Sequence, residues 1–431
     1  MDTDSRIEAF LYFGYLPEFQ DTHISCVFPD IDSPRQIFEN LVNTDDESVV
    51  IKTGIAALKH SFSKLFRETD GKDHIVPLSG GLDSRGVLAG LINAGVKDRL
   101  TTVTFGIPGS WDYEIGNSIA RKIGTPHRSI DLRDFQVTTE RLLETARNGS
   151  AWTFLIDAYY NSLIPSEFGS AAVYWSGYMG DALAGGNEIR LPDEENWSWQ
   201  DGKSYFVNNK FLNERRKMIM SSPGFDPLEY LPSTPFVDHK MMAYYDQYCI
   251  FVLNNSYFKR VVTFKGYNYQ LPYCSRDWVE FILQLPRCYS LNKRIYKKIL
   301  INLSPELFSL PVANYRGAKI NDLPLRKFTR RAFHRLRTNI GPANSLWNRL
   351  GIYRMLQYLD FDDALRNRED YRLMVSENIH DLQGRKIINW LDIESIWKDH
   401  QNKSANYGVS LMLLTALEIS LKVDDEIFLS G

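Results

Sequence analysis

The chain has 431 residues, 44% hydrophobic and 24% charged, enough to bury one large core or two modest ones. Its formal net charge of −3 gives no global electrostatic case for nucleic acid, and no run of about 18 apolar residues marks a membrane span. Residues 1–8 lack the basic and apolar stretches of a signal peptide, and Cys26, Cys249, Cys274 and Cys288 show neither C-x-x-C pairing nor zinc-ligand spacing; together these features predict a cytoplasmic protein kept reduced.

In chain order, residues 10–17 (FLYFGYLP) form an apolar-aromatic lead-in. Residues 49–66 read as an amphipathic helix, with Ile51, Ile55, Leu58, Phe62 and Leu65 near helical spacing, and 70–73 as a turn. Strands are predicted at 74–78, 100–105 and 173–175, helices at 86–94 and 113–123, the second ended by Gly124. This alternation predicts an α/β fold: a parallel sheet with helices on both faces. After about residue 240 the pattern turns helical and closes with a helix at 404–421 whose apolar positions include Val409, Leu413, Leu414 and Leu417. The expected division is a lead-in and packing helix at 1–70, an α/β nucleotide core at 71–240 and a helical remainder at 241–431.

The chemistry concentrates in residues 79–84, S-G-G-L-D-S, between a predicted strand ending at Leu78 and a predicted helix. Such a loop aims backbone N–H groups at one point, and the helix N-terminus adds positive potential. Gly80 and Gly81 allow close approach, Ser79 and Ser84 offer hydroxyl donors, and Asp83 suits a Mg²⁺ ion bridging phosphates. The string fits neither a Walker A loop nor a dinucleotide fingerprint.

The loop resembles the PP-loop of N-type ATP pyrophosphatases, and the wider chain resembles the synthetase domain of asparagine synthetases. LSGGLDSRGVLAGL is similar to the family's ATP loop, and TVTFGIPGSWDYEIGNSIARKIGTPH to the strand and helix that follow. SGYMGDALAGG at 176–186 resembles the second loop, S-G-x-G-x-D-E. The resemblance implies cleavage of ATP between the α- and β-phosphates. It implies ATP contacts at Leu78, Ser79, Gly80, Gly81, Asp83, Ser84, Phe105 and Gly177, and Mg²⁺ at Asp83 and Asp181. YKKIL at 296–300 resembles the K-x-x-L-R segment and implies a catalytic Lys297, with Lys298 a one-place alternative; Lys297 also reads as a solvated lysine beside Lys293, Arg294 and Lys298.

The departures matter as much. The glutamate after the second-loop aspartate is Ala182, and R-x-P-F-L-D reads Gln270-Leu271-Pro272-Tyr273-Cys274-Ser275, which argues against an aspartate pocket. Tyr178 stands where asparagine synthetases carry glutamate and β-lactam synthetases tyrosine; it reads equally as an acid/base group or a packed aromatic. The chain starts near where the synthetase domain would start and is not expected to hydrolyse glutamine.

The resemblance therefore implies an AMP-forming amide ligase. Its substrate would be a small-molecule, sugar or peptide carboxylate, and its nitrogen source ammonia, an amine or a separate glutaminase subunit. Competing readings are a PP-loop sulfur-transfer or tRNA-modifying enzyme and an inactive ATP-binding scaffold. Asp112 and Glu114 read as helix N-terminal charge or as ligands to substrate or metal, and His127 as structural or proton-transferring. The basic run 326–337 (RKFTRRAFHRLR), with Leu325, Phe328, Ala332, Phe333 and Leu336 interleaved, reads as a solvated helix or as one contacting an anionic membrane or charged carrier.

Overall fold

The structure is a computed structural model that describes residues 3–17, 46–69, 71–186, 196–210, 220–237, 239, 242–340, 353–355 and 358–430. Cys26, the lead-in beyond Pro17 and Asp70 of the expected turn lie outside the described residues, and the side chains of the basic run are described as far as Ala332.

Helix α1 (Thr3–Phe13) buries Ile7, Phe10 and Leu11. Helix α2 (Glu47–Arg67) starts where the Asp46 carboxylate accepts from Ser48 N at 2.9 Å, satisfying one orphan helix donor. Its apolar stripe buries Val50, Leu58 and Phe62. Strands and helices then alternate: β1 (His74–Pro77), α3 (Asp83–Asn93), β2 (Leu100–Gly106), α4 (Trp111–Ile123), β3 (His127–Asp131), α5 (Leu155–Phe168) and β4 (Val173–Trp175). A wide-wound helical stretch, Tyr248–Phe258, precedes β5 (Asn268–Gln270). Further along come α6 (Arg276–Leu283), α7 (Arg294–Leu303), α8 (Pro324–Ile340) and α9 (Gly408–Ser430).

The five strands form one parallel sheet in the order β3-β2-β1-β4-β5. Alternate side chains enter opposite cores, as the two-residue period of a strand requires. Ile75, Val103, Phe105, Ile130 and Tyr174 face a core shared with α1, α5 and α9. Val76, Leu100, Val173 and Trp175 face the other, shared with α2, α3, α6 and α7. Each fully buried aliphatic or aromatic side chain contributes roughly 1.5–3 kcal/mol, so covering both faces is what holds these short strands.

Two expectations are corrected. The segment after residue 240 is not purely helical, because it supplies β5; three residues give no period to recognise. The closing helix starts at Gly408 and runs to Ser430, well past Leu421. Leu413, Leu414 and Leu417 are buried, whereas Val409 is 44% exposed. The C-terminal extension is carried by polar contacts: Arg385 binds both Glu418 and Asp425, and Arg6 meets Asp424 at 3.1 Å.

The order of the strands positions the site. β1 and β4 are neighbours although about a hundred residues separate them, so the loops leaving their C-terminal ends emerge side by side. On one flank of β1 the chain returns through β2, on the other through β4; this reversal is where open α/β sheets leave a crevice.

Candidate active site

The loop after β1 is shaped by its own side chains. Ser84 Oγ accepts from Ser79 N at 3.1 Å and lies 3.1 Å from Ser79 Oγ, which in turn accepts from Gly81 N at 3.1 Å. Gly80 N donates to Asp112 Oδ1 at 3.1 Å, tying the loop to the first turn of α4. Burial raises the Asp112 carboxyl above its usual range, and the Gly80 N–H opposes the rise. Asp112 thus keeps its place as a helix N-terminal carboxylate and also buttresses the loop. Glu114 does the equivalent for Gly109 N at 2.8 Å. His127 is held between Thr102 Oγ1 at 2.9 Å and Asn117 Oδ1 at 3.0 Å, a structural placement.

The loop's outer anchor is Arg85, fully buried, whose guanidinium donates to the carbonyls of Gly80, Leu307, Leu310 and Pro311. Burial lowers its pKa to about 10, still charged at neutral pH. Ala313 N completes the tie by donating to Gly80 O at 3.0 Å.

The second loop packs directly on the first. A Cβ on Gly180 would lie 2.8 Å from Asp83 Cγ, and one on Gly177 3.0 Å from Ser84 N, so side chains at either position would push the loops apart. Between them Met179 is buried at φ 67, a left-handed conformation unusual for its residue type. That turn brings Asp181 to Asp83. Asp83 is half-buried, and its pKa rises to about 7, first through loss of solvation and second through the charge of Asp181. Tyr296 OH donates to Asp83 Oδ1 at 2.8 Å, and Tyr273 OH to its backbone carbonyl at 3.2 Å.

The lysine at this acidic pair is Lys293. Its ammonium makes a short ion pair with Asp181 Oδ2. Lys297 does not reach the pair: its Nζ donates to Asn292 O at 2.6 Å, lies 5.8 Å from the centre of the Tyr315 ring, and is exposed. Lys298 pairs with Glu47 on α2. The lysine that contacts the acidic pair in this structure is therefore Lys293, not the expected Lys297. The reason is conformational: Asn292 (φ 56) and Lys293 (φ 57) both take left-handed geometry just before α7, which turns Lys293 out of the helical register and towards the second loop.

Tyr178 also departs from an acid/base role. It is buried, its OH donates to Asn254 O at 3.0 Å, and burial pushes its phenol far above the usual range. A phenol so held has no ready anion at neutral pH. Tyr178 is a packed aromatic that lines the cleft.

The cleft itself measures about 780 Å³, and its wall includes Leu78, Ser79, Asp83, Ser84, Gly177 and Asp181. Aromatic rings also line it, among them Phe13, Tyr15, Phe105, Tyr257, Phe258 and Tyr358. Phe105 stacks on Tyr358 at 6.4 Å between ring centres. The charged groups in its described wall are Asp83, Asp157 and Asp181; among the described residues no Lys, Arg or His lines it. Gly80, Gly81 and Lys297 stand outside the wall. Tyr15 falls in the apolar-aromatic lead-in, whereas Tyr257 and Tyr358 carry no motif spacing that marks them.

Two carboxylates on neighbouring loops, one held up to about 7 by burial and its partner, form a place where a cation would relieve the strain between them. Among the described residues no group of three or more His, Cys, Asp or Glu gathers as a metal cage. A donor set of two carboxylates fits Mg²⁺, which takes its remaining ligands from phosphates and water.

A parallel sheet with a serine-glycine loop at its strand-order reversal, facing a second glycine loop that carries an aspartate, defines a nucleotide-binding α/β domain of the PP-loop type. The asparagine synthase family model matches residues 74–303, more than half of the chain, and the chain belongs to that family. The family is one of ATP-dependent amide ligases that bind ATP. No curated protein matches the chain. Among the described residues no helix is long and apolar enough to cross a membrane.

Proposed function

We propose that this chain adenylates a substrate carboxylate with ATP and transfers the acyl group to ammonia or an amine. The observation that carries the reading is the meeting of Asp83, Asp181 and Lys293 where two glycine loops pack together.

A carboxylate is a poor electrophile until its oxygen carries a good leaving group. In the proposed step a carboxylate oxygen attacks the α-phosphorus, the bond from that phosphorus to the bridging oxygen breaks, and pyrophosphate departs. The amine nitrogen then attacks the acyl carbon, the carbon–oxygen bond breaks, AMP leaves, and the new ammonium loses a proton. Magnesium, when bound, would offset the negative charge of the phosphates. Asp83 and Asp181 would hold it. Ser79 and Ser84, with the first N–H groups of α3, would grip the phosphates, since no side chain caps that helix. Lys293 would neutralise charge at the α-phosphate and on the leaving pyrophosphate, a task that suits a compact ammonium. Tyr178 is left out of proton transfer.

The wall of the cleft favours a carboxylate whose remaining body is uncharged and partly apolar, because the described wall offers rings and no cation for a second carboxylate. The nitrogen would come as ammonia, as an amine on a second substrate, or from a separate glutaminase subunit. Incubation with ATP, Mg²⁺, ammonium and pooled carboxylates tests the reading. AMP and pyrophosphate formed only with certain carboxylates support it; ADP and phosphate would refute it.

A further inference from the structure

Helix α8 (Pro324–Ile340) carries six Lys or Arg residues and no Asp or Glu, in a chain whose net charge is −3. An isolated basic stretch of this kind usually gains apolar cover by laying its other face on the protein. Among the described residues that face is open. Leu325 is 73% exposed, Phe328 66% exposed and Leu323, just before the helix, 75% exposed; Ala332 is exposed as well. Positions 325, 328 and 332 follow i, i+3, i+7 spacing and so share one side of the helix. Arg326 and Arg331 are exposed, and Lys327 and Arg330 half-buried, around the rest of its circumference.

We propose that α8 lies in the surface of an anionic lipid bilayer, with Leu325 and Phe328 inserted between headgroups and the cations of the helix other than Lys327 on the lipid phosphates. The pattern is that of an interfacial helix: a strongly charged face, low overall hydrophobicity, and Leu and Phe opposite the cations. A nucleic acid or an acidic protein would use the positive charge but has no need of an exposed Leu–Phe stripe beside it. The helix is also firmly mounted. Lys327 Nζ donates to Ile320 O at 2.7 Å and lies 5.0 Å from the centre of the Tyr315 ring, and the turn at Ala313 is bonded to Gly80 of the ATP loop. Docking would therefore set the catalytic loops at the bilayer and suit a carboxylate presented there. The proposal does not depend on the assigned reaction.

The test is co-sedimentation of the full chain with vesicles of phosphatidylcholine alone and of phosphatidylcholine with about one-third phosphatidylglycerol, at low salt and at about 0.5 M salt. Binding is expected to the anionic vesicles only, with at least a tenfold loss in high salt. Leu325→Glu/Phe328→Glu and Arg330→Gln/Arg331→Gln should each weaken it at least tenfold while circular dichroism and nucleotide binding stay unchanged; the second pair keeps the test valid if the first misfolds. Absence of binding to the anionic vesicles overturns the proposal. So does binding that both variants retain. Equal retention on heparin beads by wild type and the Leu325→Glu/Phe328→Glu variant, without vesicle binding, would assign the helix to a polyanion instead and likewise overturn it.

Discussion

The Lys293 ammonium closes on the Asp181 carboxylate across 112 residues of chain, joining the turn before α7 to the loop after β4. This pair determines which lysine should matter. Lys293→Met is expected to lower pyrophosphate release at least a hundredfold, about 3 kcal/mol of barrier, with ATP still bound. Lys297→Met should stay within a few-fold of wild type, since its ammonium is spent on Asn292 O and an aromatic face. Single-turnover release of pyrophosphate from the two variants decides between them.

Asp83 links the site to pH. Its carboxyl titrates at about 7 in the folded protein against an ordinary 3.8. Below 3.8 both states are protonated and the group has no effect. Between 3.8 and about 7 the unfolded chain holds fewer protons than the folded one, so stability falls as pH rises; above 7 the full penalty remains. Asp83→Asn removes it. The variant without nucleotide should melt higher than wild type at pH 8, by up to a few kcal/mol of stability, and equally at pH 4. Its AMP formation should vanish. Thermal melts at the two pH values provide the check, and a lower melting temperature at pH 8 would contradict the burial argument.

The two loops touch without room for a methyl group. Gly180→Ala places Cβ 2.8 Å from Asp83 Cγ, so a loss of about 1–3 kcal/mol is expected together with lost turnover. Gly81→Ala meets only the Ser79 hydroxyl at 3.2 Å and should cost under about 1 kcal/mol. Urea denaturation of both variants separates loop packing from general sensitivity to added bulk.

Tyr178→Phe removes a hydroxyl that serves Asn254 O. Stability should drop by about 1 kcal/mol through the lost hydrogen bond, and the shape of the pH–rate profile should not change. A lost alkaline or acidic limb in that profile would restore Tyr178 to proton transfer.

Much of the architecture was legible because its signals are local. The strand at 173–175 falls where the apolar triplet lies, and Ser79–Ser84 sits between a strand and a helix as its glycines demand. What stayed hidden depends on distant partners. Lys293, Arg294, Lys297 and Lys298 form one cationic run whose spacing is equally helical for each; only the left-handed turn at Asn292 and Lys293 separates them. Tyr273 and Tyr296 look like core aromatics in sequence, and they are, yet both hydroxyls end on Asp83. No pattern within α7 or the short turn after β5 announces such a contact, because its meaning comes from the strand order that sets β1 beside β4.

Arg85 has a consequence for how the molecule is made. Its carbonyl partners at Leu307, Leu310 and Pro311 are 222 to 226 residues further along the chain, beyond the segment that carries the family likeness. Closing so long a loop is slow, and a chain emerging from the ribosome cannot begin until those residues exist. The sheet waits as well, since one of its faces is covered by α9 at the end of the chain. A nascent chain halted before residue 307 would lack both the carbonyls that hold the loop and the helix that covers the sheet, so ATP would recognise the product of completed synthesis and not its precursors.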